Sequence, residues 1–221
     1  MKYIKLFENF GEYDPYELMI IPPGKKAEML IKEVKKKDKA NLNLVNDLIT
    51  LGADIDWQDG YGETVLHWCA RWNHPRIARM LIDARADLNI QNNDGWTALH
   101  RSAIENLPEL SKMLIDAGAD VNIQAEGGWS VLHLCSYYGH FNQFGQYGHP
   151  EIAKMLIEAG ADLNLQDDRG WTALHQCADN NRMEIANILL DSGADKTIQD
   201  DDGKLPYELS KSKELKKLLQ P

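Results

Sequence analysis

The chain has 221 residues, with 24 Lys and Arg against 34 Asp and Glu, and a net charge of −10. The charge is uneven: residues 1–40 carry +2, residues 203–221 carry +3, and the stretch between them holds 10 basic against 25 acidic residues. An acidic body argues against nucleic acid as a partner, because phosphate binding needs a basic face, and no apolar run approaches the roughly 18 residues that a membrane span needs.

Residues 1–24 form a tail rich in aromatics (Tyr3, Phe7, Phe10, Tyr13, Tyr16), with Met19, Ile20 and Ile21 before Pro22-Pro23-Gly24. Ile4, Phe7 and Phe10 fall near one helical face, which suits either a docking peptide or a tail folded back on the neighbouring helices. The first ten residues have Lys2, Lys5 and Glu8 but no long apolar core, so no signal peptide is expected. Residues 25–58 predict two helices. The first, Lys25–Lys39, turns Ala27, Leu30, Ile31 and Val34 inward, and the second runs over Asn41–Leu51 and closes on Gly52-Ala53-Asp54. A lysine-rich outer side fits the end cap of a stacked array.

A repeated hexapeptide then takes over. Gly-Trp-Thr-Ala-Leu-His stands at Gly95–His100 and again at Gly170–His175, with looser copies at Gly62–His67 and Gly128–His133. His67, His100 and His133 follow each other at 33 residues, and His175 comes 42 later, which is the same period plus a nine-residue insertion. A fixed period of this size marks an array of stacked units. Each copy reads as a helix start. Thr64, Thr97, Ser130 and Thr172 can accept from the free amides of the first turn. The histidine three residues on can reach back, as Glu does in a capping box. A second apolar segment comes next in each unit, as at Ile77–Ile82, Leu110–Ile115, Ile152–Ile157 and Ile185–Leu190. Pro75, Pro108 and Pro150 stand at its first position, where the missing amide costs nothing. Gly118, Gly160 and Gly193 end it in the left-handed conformation, and Arg85 occupies that slot in the first copy at an expected cost of about 1 kcal/mol.

The period and the Thr-x-Leu-His signature resemble ankyrin repeats, over about residues 41–219. The resemblance implies an all-α solenoid of helix-turn-helix units with short β-hairpin fingers: an N-terminal cap at 25–58, four full repeats at 59–91, 92–124, 125–166 and 167–199, and a C-terminal cap at 200–221. The third repeat carries the insertion, Phe141–His149, in which Gly139-His140 recurs as Gly148-His149. Such arrays act as protein-binding modules, which implies no enzymatic activity, no cofactor and a monomeric chain.

The partner surface implied by the resemblance is the concave face, lined by finger tips and inner helices. Trp96, Trp129 and Trp171 follow the finger glycines, with Glu63 in the same slot of the first repeat. Trp72, Tyr137 and Tyr138, with Glu105, come late in the inner helices. Trp and Tyr dominate binding hot spots because they bury much area at little entropic cost. The tryptophans could equally pack along neighbouring fingers. A partner with a basic, partly apolar surface is expected, steered by acidic rim residues such as Glu63 and Glu105.

Three other chemistries compete. His67/Cys69, His133/Cys135 and His175/Cys177 look like zinc ligands, but they lie in different units about 8–10 Å apart, and zinc needs ligands within about 2.0–2.3 Å of one point. The cysteines read instead as buried thiols of a reducing, cytoplasmic compartment. His140 and His149 flank the insertion, where a metal or small ligand could bind. Asn89, Asn122 and Asn164 match the pattern that some ankyrin repeats present to an asparaginyl hydroxylase, which would make the chain a modification substrate or decoy. No phosphate-cradling or activated-nucleophile motif is present, and the roughly 40 residues outside the repeats are too few for a catalytic domain.

Overall fold

The computed structural model describes residues 15–36, 39–137 and 148–221, with side chains from Leu18 onward. The aromatic tail before Pro15, Tyr138, His140 and most of the insertion lie outside the described residues. The chain divides into two compact units, Met1–Asp87 and Leu88–Pro221. Among the described residues every regular element is helical. The β-structure there is an isolated antiparallel bridge between Gln124 and Ser130, so the fingers are tight turns and not two-stranded ribbons.

The first unit holds α1 (Pro15–Ile20), α2 (Pro23–Val34), α3 (Leu42–Thr50), α4 (Val65–Trp72) and α5 (Pro75–Asp83). Proline opens α2, and its apolar stripe buries Ala27, Leu30, Ile31 and Val34. The helix stops at Val34, short of the expected Lys39, where the apolar period ends. Asn41 caps α3 by accepting from the amides of Asn43 and Leu44. Glu33, itself buried, accepts the Asn41 amide at 2.6 Å, which ties the end of α2 to the start of α3. The pair packs onto α4 and α5.

The second unit continues with α6 (Ala98–Ile104), α7 (Pro108–Asp116), α8 (Val131–Tyr137), α9 (Pro150–Glu158), α10 (Ala173–Asp179), α11 (Met183–Asp191), α12 (Pro206–Leu209) and α13 (Lys213–Leu219). The inner helices α6, α8, α10 and α12 form one layer, and the outer helices α7, α9 and α11 form another. Between the layers lie Leu99, Leu110, Leu114, Leu132, Leu134, Ile152, Leu156, Leu174 and Leu189, all essentially without exposure. Each such side chain stabilises by about 1.5–3 kcal/mol. No helix has a core of its own, so stability comes from stacking.

The outer helices end alike. In α7 the Gly118 amide donates to the Ile115 carbonyl and the Ala119 amide to Leu114, the paired bonds of a Schellman stop. Arg85 and Ala86 make the same two bonds to Ile82 and Leu81. Arg85 therefore takes a positive φ of 69°, where Gly118 and Gly193 have 94°. The side chain is exposed, so little offsets the strain of a Cβ there. Arg85→Gly should stabilise the chain by about 1 kcal/mol in denaturant melts. A loss of stability would show that the guanidinium makes a compensating contact.

The turn from inner to outer helix is also constant. His74, Leu107 and Arg182 each donate their amide to the fifth residue back, Cys69, Ser102 and Cys177, at 2.8–2.9 Å. His149 makes the same bond to Cys135 at 3.2 Å, across fourteen residues. Deleting Phe141–His149 would place His140 in the slot before Pro150 with the spacing of the other repeats. Helical circular dichroism and a cooperative melt should survive that deletion. Collapse of either would mean that the extra residues belong to the core.

Candidate interaction surface

The start of each inner helix is the joint of the array. The Thr97 amide donates to His100 Nδ1 at 3.2 Å, and the Thr97 hydroxyl lies 2.8 Å from the same nitrogen. An amide can only donate, so Nδ1 is bare and the ring proton sits on Nε2. Nε2 then donates to the Trp129 carbonyl of the next repeat at 3.2 Å. His133 is held by Ser130 in the same way and donates to the Trp171 carbonyl at 2.8 Å. His175 is held by Thr172 and donates to the Lys204 carbonyl at 3.2 Å. In the first unit Thr64 and His67 make the same box.

Four of the fingers are each folded by one side chain. Asn92 Oδ1 accepts from the Asp94 and Trp96 amides. Asp167 Oδ1 accepts from Arg169 and Trp171, Asp200 Oδ1 from Asp202 and Lys204, and Asp59 Oδ1 from Tyr61 and Glu63. These are Asx turns. Ala125 cannot make one, and its finger instead uses two glycines at positive φ, Gly127 and Gly128. Neighbouring fingers are bonded tip to tip: Glu126 to the Asp94 carbonyl, Asp168 to Gly127, and Asp201 to Arg169. The approach is close enough that a Cβ on Gly128 would stand 2.8 Å from the Asp167 Cα.

Two amide ladders reinforce the register. Gln91 Nε2 donates to the Gly95 carbonyl of its own finger and the Gln124 carbonyl of the next. Gln124 and Gln166 repeat the pattern towards Gln166 and Gln199. Asn89, Asn122 and Asn164 are exposed, and their side-chain carbonyls accept the amides of Asp120, Asp162 and Asp195 in the next repeats at 2.7–2.9 Å. The three asparagines thus carry inter-repeat bonds. The glutamine ladder is open to a sequence reading, since Gln58, Gln91, Gln124, Gln166 and Gln199 keep the spacing of the histidines.

The tryptophans sit at the base of the fingers, half-buried. The Trp96 indole meets the edge of its own repeat's His100 at 5.4 Å between centroids. Trp129 lies 6.2 Å from His133 and makes an edge contact with Tyr137 at 5.1 Å. Trp171 lies 6.3 Å from His175, its Nε1 donates to Asp200 Oδ2 at 3.1 Å, and the Arg169 guanidinium stands 4.1 Å over its ring. Tyr137, 43% exposed, and the exposed Glu105 end the inner helices α8 and α6. Tyr138 lies outside the described residues.

The first unit differs. Glu63 is not a rim charge: it is buried at 5% exposure, with its carboxylate 4.0 Å from His67 Nδ1. The exposed large side chain of that finger is Tyr61. Trp72 is half-buried at the end of α4. Beside it Trp68 donates to Asp59 and lies under the Lys35 ammonium, 3.7 Å away, with Arg71 at 5.4 Å. His149 is likewise corrected. It is 2% exposed at the start of α9, held there by its amide bond to Cys135, so it does not present a ligand on a protruding loop.

Cys69, Cys135 and Cys177 are free and fully buried. Burial pushes all three thiols up, Cys177 to about 12. Among the described residues no group of three His, Cys, Asp or Glu is placed to hold a metal ion. No helix among them is long and apolar enough to cross a membrane.

A model of the ankyrin repeats, in three copies, matches residues 35–125, 87–145 and 126–200. The chain belongs to the ankyrin-repeat family. Ankyrin repeats are generally protein–protein interaction modules and typically non-enzymatic. No curated protein matches the chain.

The ankyrin histidines make the array sensitive to acid. Burial holds His133 and His175 below the ordinary 6.5, against the opposing pull of their carbonyl partners. Above 6.5 both the folded and the unfolded states are neutral at these groups. Below it the unfolded chain takes up protons that the folded chain refuses, so stability falls as pH falls. Denaturant melts from about pH 8 to about pH 5 should show that decline beginning near 6.5. Imidazole resonances of His133 and His175 that titrated at or above 6.5 would contradict it.

Proposed function

We propose that this chain is a protein-binding module that engages its partner through the fingers and inner-helix ends of residues 88–221, the side that is concave in ankyrin arrays. The observation that carries this reading is the Trp129–Tyr137 edge pair. It joins a finger base to the end of an inner helix, and Tyr137 is one of the few large apolar side chains left exposed among the described residues. Trp96 and Trp171 occupy the same position in the flanking repeats. Rigid aromatics of this kind supply hot spots.

The charge around them specifies the partner further. Residues 88–221 carry 20 acidic against 11 basic side chains. A basic, partly apolar partner is favoured, with exposed acids such as Glu105 steering its approach. The module acts as a monomer without catalysis of its own. Its three free, buried thiols support a reducing, cytoplasmic setting.

The test uses a partner captured on the immobilised chain. Tyr137→Ala and Trp129→Ala should each weaken its affinity by about 2 kcal/mol. Tyr137→Ala should lower the denaturation midpoint less than Trp129→Ala does, because Tyr137 is 43% exposed while Trp129 is half-buried. Raising the salt concentration should slow association more than it speeds dissociation. If both variants destabilise the fold and leave affinity intact, the aromatics serve packing and the surface assignment fails.

A further inference from the structure

The repeat step of the tryptophan line constrains the shape of what can lie along it. Trp96, Trp129 and Trp171 hold equivalent places in consecutive repeats, and the tip-to-tip bonds of their fingers keep them in register. Packed helices stand about 8–10 Å apart, which sets the step between indoles. An extended strand presents same-face residues about every 6.6 Å, or about 13 Å for every second one, and misses that step. An α-helix repeats at about 5.4 Å, or about 10.8 Å over two turns, and drifts out of register. A polyproline II helix has about three residues per turn and a rise of about 3.1 Å, so one face recurs about every 9.3 Å. That lies within the step.

The chemistry beside the indoles points the same way. Each finger of residues 88–221 carries an exposed acid at its tip: Asp94, Glu126, Asp168, and then Asp201 with Asp202. Along this line of indoles, Trp171 already holds a cation. The Arg169 guanidinium stacks on Trp171 at 4.1 Å while its nitrogen bonds the buried Asp167 carboxylate at 3.0 Å. An indole face backed by a carboxylate is thus a working guanidinium seat in this array. A pocket of about 290 Å³ opens next to it, where four aspartates, Asp168, Asp200, Asp201 and Asp202, outnumber Arg169 and Lys204.

We infer that the partner presents a basic, proline-rich segment in the polyproline II conformation. One residue in three falls at a tryptophan position, on Trp96 and Trp129 and then beside the Trp171–Arg169 pair, and the arginines or lysines next to it pair with the finger-tip carboxylates. Proline-rich segments suit aromatic grooves because they are already ordered and lose little entropy on docking. This inference rests on the assignment of the binding surface above and adds the form of the ligand.

The experiment uses labelled twelve-residue peptides and fluorescence anisotropy with the full chain. Four copies of Pro-Arg-Pro should bind, and more weakly as salt rises. Four copies of Gly-Arg-Gly carry the same charge without the preformed helix, and should bind at least tenfold more weakly. Four copies of Pro-Glu-Pro should not bind. Trp129→Ala should weaken Pro-Arg-Pro binding tenfold or more. Glu126→Gln, an exposed change that leaves the fold intact, should weaken it severalfold. Equal binding of the glycine and proline peptides overturns the proposal, as does binding that ignores both substitutions, or none at all. Tighter binding of a basic peptide stapled into an α-helix also overturns it. The two readings separate cleanly. If the captured partner depends on Trp129 and Tyr137 while no proline peptide binds, only the ligand form is wrong. If neither depends on them, the surface itself is wrong.

Discussion

Within residues 88–221 a single imidazole joins each repeat to the next. Its Nδ1 is claimed by the amide and hydroxyl of the Thr or Ser that starts its own helix. That leaves Nε2 as the only protonated nitrogen, and it points at a finger carbonyl of the neighbouring repeat. Local capping and inter-repeat bonding are thus one act. A hydroxyl alone could cap the helix, but it could not also span to the neighbour. Once the carbonyl is caught, the next finger is placed. Its tip amide then meets the previous tip, and the glutamine and asparagine ladders close beside it. The indoles ride on this frame. Their regular spacing comes from the joint and not from contacts between tryptophans.

Much of this is legible in the chain. The 33-residue period, the capping threonines, the prolines that open the outer helices and the left-handed Arg85 all follow from local chemistry, and local chemistry is what a sequence displays. Glu63 and His149 mislead for a common reason. The place of each in a turn suggests exposure, but burial depends on what packs from outside the turn. Glu63 sits two residues past the exposed Tyr61, against His67. His149 ends its loop at a helix start, where its amide is already committed to Cys135. The ladders are easily passed over although their spacing is visible, because Gln and Asn at turns have a ready local explanation that hides a longer-range one.

The two units also differ in chemical character. In residues 15–87 the inner-helix face is cationic around Trp68, which is stacked beneath Lys35 and flanked by Arg71. In residues 88–221 the corresponding face is acidic at the tips and aromatic at the base. The two faces can differ because the joint uses only Gly, Thr or Ser, Leu and His. It leaves the tip and helix-end residues free to vary. The residues that make the joint and the residues that vary are separate letters of each repeat.

The bare Nδ1 at every joint has a spectroscopic meaning. An imidazole locked as its Nε2–H tautomer has nitrogen chemical shifts unlike those of the rapidly exchanging form in water. His100, His133 and His175 therefore mark one joint each. A joint that opens would release its ring to mixed tautomers while the others stayed locked. The chain carries, in its own composition, a set of isotopic gauges by which the order of unstacking could be read repeat by repeat.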